Sequence, residues 1–214
     1  MSFLSLLPFH PSSLRIALMS AFMVCALSVG HAFAQVIPDA WQDFSRSEQA
    51  QLGKGQIVLH TSSPSPKTGD YHQVVASLMV DVAPKTVFEV LSDQPQAMKG
   101  APGFKKVSVL DKNNNGLNQK VNYKVVLGGI MPFEYTTQVK LNPYQSMHFH
   151  RVSGSFKDFR GVCRLIPYQK GEKTIIVYHV EVIPDLPMPT FVTQAFLKKD
   201  IPNTLRHIAK MARK

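Results

Sequence analysis

The chain is poor in cysteine, tryptophan and acidic side chains: 214 residues carry two Cys, one Trp and 14 Asp or Glu. Two cysteines, Cys25 and Cys163, exclude a disulfide-dense scaffold, so stability must come from a packed core. The apolar run from Ile16 to Val29 falls short of the roughly 20 residues that a bilayer-spanning helix needs. No Gly-x-Ser-x-Gly elbow, phosphate-cradling glycine loop or His-Glu-x-x-His pair occurs, which removes the commonest hydrolase, nucleotide and zinc-hydrolase signatures. With few acids against 24 Lys and Arg, the formal charge is +10, which points to anionic surroundings without establishing nucleic-acid binding. No nucleic-acid partner is expected.

What is present begins with a processing signal. Arg15 precedes the apolar run, and Ala32-Phe33-Ala34 has the small-x-small form of a cleavage site. Residues 1–34 therefore read as a signal peptide cleaved after Ala34, giving a periplasmic or secreted protein; an uncleaved anchor is the alternative. Only Cys163 would remain after cleavage, and about 180 residues suffice to bury roughly 70% of the unfolded surface without a staple or metal.

Residues 35–55 read as an N-terminal extension with a short helix, because Ser45-Arg46-Ser47-Glu48 is a capping box and Gly53 a stop. Residues 56–214 form the main domain. Gln56–Thr61 and Tyr71–Val82 are strands joined by the Ser- and Pro-rich stretch Ser62–Asp70. Ala83-Pro84 opens a helix through Leu91, and Asp93–Gly103 is a second short helix or a loop.

From Phe104 the period changes to two, marking strands. Val107 and Val109 alternate, Asn113–Gly116 turns, and Val121, Tyr123, Val125 and Leu127 share one face. Tyr135, Thr137, Val139 and Leu141 repeat this beyond Gly128-Gly129. Met147, Phe149 and Arg151 share a parity opposite to His148 and His150, and Phe159–Tyr168 and Thr174–Val182 complete the hairpins. A long terminal segment then carries Phe191, Val192, Ala195, Phe196, Leu205, Ile208 and Ala209 at helical spacing, with a kink expected at Pro202. The order implies an α+β fold, an antiparallel sheet curled around one helix.

Several motifs in this order resemble the START-like SRPBCC superfamily, particularly its polyketide cyclase/dehydrase and coenzyme Q-binding branch. They are Leu52–Val58, Val82–Asp93, Pro102-Gly103-Phe104 before Val107–Leu110, Gly154-Ser155-Phe156 with Gly161, Thr174–Tyr178, and Ile201-Pro202 with Leu205 and Ile208. The resemblance implies a helix-grip fold whose curved sheet wraps a long C-terminal helix, with two short helices after the first strands, around an apolar cavity. It also implies binding or transport of a hydrophobic small molecule (lipid, quinone or polyketide-like). A cyclase-type enzyme using the same cavity and a ligand-free protein-interaction module are the alternatives.

Strand parity then nominates the cavity wall: Tyr123, Val125, Leu127, Tyr135, Thr137, Phe149, Phe159, Cys163, Ile176 and Tyr178, with Phe191, Ala195 and Phe196 from the helix. Each aliphatic member equally suits a solid core. Buried tyrosine hydroxyls need partners, which makes them the better pocket candidates. Arg151 either anchors a ligand oxygen or, at a strand end, reaches solvent or Asp158. His148, His150 and His179 as a metal set is disfavoured, since the first two face outward. Cys163 reads as a small buried residue rather than a nucleophile. No metal, cofactor or catalytic residue is assigned; for a cyclase the candidates would be Tyr123, Tyr135, Arg151 and Tyr178. Lys198, Lys199, Arg206, Lys210, Arg213 and Lys214 give the terminal helix a basic face, either solvated or in transient contact with an anionic membrane surface. A monomer is expected.

Overall fold

The computed structural model describes residues 37–65, 70–113, 115–185 and 189–214. The expectations for the signal peptide, residues 66–69 of the first connection, Asn114 of the turn and Pro187 lie outside the described residues.

Strand β1 (Val58–Ser62) pairs with β2 (His72–Val80), after which helices α2 (Pro84–Ser92) and α3 (Gln94–Ala97) cross to the rest of the sheet. A meander follows: β3 (Phe104–Lys112), β4 (Asn118–Leu127), β5 (Met131–Asn142), β6 (Ser146–Gly154), β7 (Phe156–Tyr168) and β8 (Lys173–Pro184). The last strand returns to pair with β2, so the order is β1-β2-β8-β7-β6-β5-β4-β3 with antiparallel neighbours throughout. The terminal helix lies against the concave face as α4 (Thr190–Ala195), a π-helical turn Phe196–Asp200, and α5 (Ile201–Ala212).

Two cores explain the patterning. Alternate residues of β4 and β5 (Val121, Tyr123, Val125, Leu127; Tyr135, Val139, Leu141) join Ile201, Leu205 and Ile208 of α5 in the concave core. The central strands β2 and β8 are buried on both faces, which is why they read as continuous apolar runs. Their opposite parity (Val75, Met79, Ile175, Val177) packs against Phe44 and Leu52 of the N-terminal segment. Helix α1 (Arg46–Gly53) is capped as its sequence requires: Glu48 accepts the Ser45 N–H at 2.7 Å, and Ser45 Oγ accepts the Glu48 N–H at 3.4 Å. Its stop is Gly55 rather than Gly53. With φ +69, Gly55 donates to the Leu52 carbonyl at 2.9 Å and Gln56 donates to Gln51 at 3.0 Å, the two bonds of a Schellman motif.

Pro202 acts differently from a simple kink. Lacking an N–H, and with its ring set against the preceding turn, it follows a widened π-helical turn rather than sitting mid-helix. β3 also departs from simple alternation, because register shifts at Phe104/Lys106 and Val109/Asp111 leave Val109 and Leu110 exposed on an edge strand.

Candidate functional site

Between the concave sheet and the terminal helix lie two small connected cavities of ≈ 40 Å³ each. Both are lined by Phe104, Tyr135, Phe159, Tyr178 and Thr204, so they are two lobes of one space. The outer lobe continues along Gly103, Val125, Leu127, Val180, Phe196, Asp200 and Ile201; the inner one along Gln94, Met98, Tyr123, Thr137, Val139, Met147, Phe149 and Ile208.

The walls are aromatic because β4, β5, β6, β7 and β8 each contribute rings at facing inward positions. Tyr123 stacks on Tyr135 with centroids 5.1 Å apart, Tyr135 meets Phe159 at 5.1 Å, Phe159 meets Phe149 at 5.4 Å, and Phe149 lies 5.8 Å from Tyr178. Gly161 makes this possible. It pairs opposite Phe149, and a Cβ there would lie 2.5 Å from the Phe149 ring and 2.2 Å from the His179 carbonyl. Gly154, at φ +106, likewise lets β5 and β6 close on each other; a Cβ there would stand 2.3 Å from the Glu134 carbonyl.

The polar groups divide into satisfied and unsatisfied ones. Tyr123 donates to Gln94 Oε1 at 2.9 Å, while the Gln94 amide donates to the Leu91 carbonyl at 2.6 Å and meets Met147 Sδ at 3.0 Å. Thr137, 1% exposed, sits near the Tyr123 hydroxyl and pulls its pKa down against desolvation. Tyr135 and Tyr178 have no hydrogen-bond partner among the described residues. Desolvation pushes the pKa of all three phenols up, so they remain protonated donors at neutral pH. Asp200, at the π-helical turn, is the one charged side chain on either wall among the described residues. It accepts the Gly128 N–H at 2.8 Å, and desolvation raises its pKa against the opposing pull of that bond and of Lys199.

Of the residues nominated from sequence, Tyr123, Val125, Leu127, Tyr135, Thr137, Phe149, Phe159, Tyr178 and Phe196 meet around this space. Five do not. Cys163 and Ile176 are buried in the surrounding core without reaching the cavity, and burial pushes the Cys163 thiol up to about 12. Ala195 packs beside Gly128, where a Cβ would stand 3.6 Å from its own. Phe191 is 62% exposed on the far side of α4. Arg151 keeps the parity of Phe149, opposite Thr137, with the β-bulge falling beyond it at Val152; it does not line the cavity, and its Nε is buried without a partner among the described residues. Its guanidinium donates to the Gly154 carbonyl at 3.1 Å, and Asp158 is taken by Tyr71 and Arg160.

The lining residues that were not nominated include Phe104, Val126, Val139, Met147 and Val180 on strands, and Gln94, Met98, Asp200, Ile201, Thr204 and Ile208 outside them. Ile201, Thr204 and Ile208 share one helical face, a signal the sequence did carry. Gln94 and Asp200 carried none. His148 bonds Ser146 Oγ at 3.1 Å and His179 lies 4.0 Å from Glu181, apart from the cavity; the described residues include no cluster of three metal-ligating side chains. A wider hollow of ≈ 280 Å³ lies beneath the N-terminal segment, lined by Asp39, Gln145, Ser146, Arg164 and Leu165–Pro167. Arg164 bridges it to the Ile37 carbonyl at 3.2 Å and to Asp39, which makes it a packing seam for that segment.

Comparison with known proteins places this geometry. A sequence model of the family described as polyketide cyclase / dehydrase and lipid transport matches residues 80–209. Among solved structures, the chain is similar to the Zhui aromatase/cyclase of Streptomyces sp. R1128 at 16% identity, covering 67% of this chain and 94% of that one with a TM-score of 0.59. A STAR-related lipid transfer protein of Xanthomonas axonopodis is 13% identical over 74% of this chain and 94% of its own, with a TM-score of 0.58. A START superfamily protein of Mycobacterium smegmatis is 20% identical over 65% and 92%, with a TM-score of 0.53. No curated protein matches the chain significantly.

Proposed function

Because the chain belongs to the polyketide cyclase / dehydrase and lipid transport family, we propose that it binds and carries a hydrophobic small molecule between its sheet and terminal helix. The observation that carries this reading is an aromatic-walled space between the concave sheet and the terminal helix. Of the side chains that a cyclase mechanism would draw on, Tyr123, Tyr135 and Tyr178 line the space as protonated donors, while Arg151 does not line it and donates to the Gly154 carbonyl.

Each lobe has room for a few water molecules, against the roughly 300 to 1,000 Å³ of a ligand site. Admission therefore requires the terminal helix and the sheet to part along the five residues that the lobes share. Within that helix a π-helical turn, Phe196–Asp200, precedes Pro202.

The carrier acts outside the cytoplasm after cleavage at Ala34, a reading supported by Arg15, the apolar run and the small-x-small site. It meets an anionic membrane transiently through the terminal helix, supported by the exposed Lys198, Lys199, Arg206, Lys210, Arg213 and Lys214. Salt-sensitive binding to anionic but not neutral vesicles would bear that out.

The cavity itself is tested with a neutral environment-sensitive dye and the variant Thr204→Phe, which fills the centre of both lobes. Saturable one-to-one dye binding that Thr204→Phe abolishes, in a variant that still unfolds cooperatively, supports the reading. Undiminished binding in that variant refutes it.

A further inference from the structure

We propose that the Asp200 carboxylate is the latch of the cavity: it holds the β4–β5 turn to the terminal helix over the outer lobe, and its release from Gly128 is the step that admits a ligand. This rests on the reading of the cavity as a ligand site.

Burial of the walls shows which lobe meets solvent. The residues that line the inner lobe alone, among them Gln94, Met98, Met147 and Ile208, are all buried. The outer lobe is bounded instead by exposed Pro102 and Gly103 and by part-exposed Val126 and Asp200. The way in therefore runs through the outer lobe, where Leu127 at the start of the β4–β5 turn and Phe196 and Asp200 of the π-helical turn both stand in the wall.

These two segments are tied by a single directional contact. Among the described residues, the bond from the Gly128 N–H to Asp200 Oδ2, 2.8 Å long, is the one hydrogen bond between the terminal helix and the meander β3 to β8. The other contacts of this helix with the meander are apolar packing, which is non-directional. The turn is seated for its bond: Gly128 and Gly129 take φ +59 and +80, and a Cβ on Gly128 would lie 3.5 Å from Val192 and 3.6 Å from the Ala195 Cβ. Closure also strips water from the carboxylate, which raises its pKa, and opening returns that water. Because the same bond closes the empty and the filled cavity, it governs how fast a ligand exchanges and leaves the affinity nearly unchanged.

The 3.6 Å separation falls within the roughly 3.5–4.5 Å between Cβ atoms that a disulfide bridges, so Gly128→Cys with Ala195→Cys can lock the turn to the helix. In a Cys25→Ser background, with Cys163 buried, the oxidised double variant should not take up Nile red, a neutral environment-sensitive dye, and dithiothreitol should restore uptake. The reduced form carries the same two substitutions and is the reference for any strain at Gly128. A second comparison isolates the acceptor. Asp200→Ala and Asp200→Asn both remove the charge, but only Asn keeps an oxygen for Gly128. Stopped-flow association and dissociation of Nile red should both be roughly three- to tenfold faster in Asp200→Ala, with Kd equal within about twofold. A wall residue without a latching role would change Kd rather than move both rates together. Uptake by the oxidised variant at the reduced rate, or equal rates in the Ala and Asn variants, overturns the latch while leaving the cavity as a ligand site. If the parent protein binds no Nile red, or binds it undiminished with Thr204→Phe, the carrier reading itself fails and the latch with it.

Discussion

Replacing each cavity tyrosine by phenylalanine in turn gives a sharp test of how its hydroxyl is used. The change deletes one oxygen and keeps the ring, so packing in the stack of Tyr123 on Tyr135 is nearly unaltered. In Tyr123→Phe, Gln94 Oε1 loses the hydrogen bond it accepts at 2.9 Å, while its amide stays fixed on Leu91 and Met147. Gln94 is 1% exposed, so water does not replace the lost donor. Stranding such a carbonyl costs about 1–3 kcal/mol, and for a chain of this size each kcal/mol lowers Tm by roughly 2–4 °C. A fall of about 5 °C is expected. Tyr135→Phe and Tyr178→Phe remove hydroxyls that have no partner among the described residues, so the ligand-free protein should change by less than about 0.5 kcal/mol or gain stability. Adding Gln94→Met to Tyr123→Phe removes both partners and should restore most of the loss. Thermal and urea unfolding followed by circular dichroism reads all four. A Tyr135→Phe penalty equal to that of Tyr123→Phe would refute the reasoning, because its hydroxyl would then hold a bond comparable to the one Tyr123 makes.

Three further expectations follow from individual contacts. Gly161→Ala places a Cβ against the His179 carbonyl as well as the movable Phe149 ring, so it should destabilise by about 3 kcal/mol or more; a calorimetric Tm within about 2 °C of the parent would contradict that. Asp200→Asn keeps an acceptor for Gly128 and removes a desolvated charge. Since the folded-state pKa of Asp200 is raised, its contribution is fully present below 3.8 and is lost as pH rises through the folded value. The variant's advantage in urea midpoint should therefore be absent near pH 3 and appear on going to about pH 8; a constant difference across that range would exclude the titration. Cys163, buried and with its thiol pushed up to about 12, should resist iodoacetamide until the protein unfolds. Rapid native labelling in a Cys25→Ser background would show an opening that the cavity geometry does not contain.

How much of this was legible beforehand depends on which physical rule governed each segment. On β4 and β5 one face is buried and the register is regular, so alternation identified Tyr123, Val125, Leu127, Tyr135 and Thr137 directly. At Arg151 the parity held, opposite Thr137, but the long side chain turns to the Gly154 carbonyl instead of lining the cavity, a choice that periodicity does not announce. Phe191 differs for another reason. The π-helical turn Phe196–Asp200 shifts the helical phase, so residues before it do not continue the stripe of Leu205 and Ile208; Val192 and Phe196 are buried and Phe191 is not. Gln94 and Asp200 were invisible, because a buried amide and a desolvated carboxylate at element junctions take their roles from neighbours distant in sequence, Tyr123 and Gly128. The family motifs found their reasons in backbone geometry: Gly154 and Gly161 are places where a Cβ would strike the adjacent strand.

The central claim is that the space between the sheet and the terminal helix opens for an apolar ligand. Its most direct test is native mass spectrometry of the protein isolated from its own source, followed by denaturation and analysis of what is released. The account predicts a stoichiometric apolar small molecule. A protein that comes off clean and then fails to take up the neutral dye would contradict it.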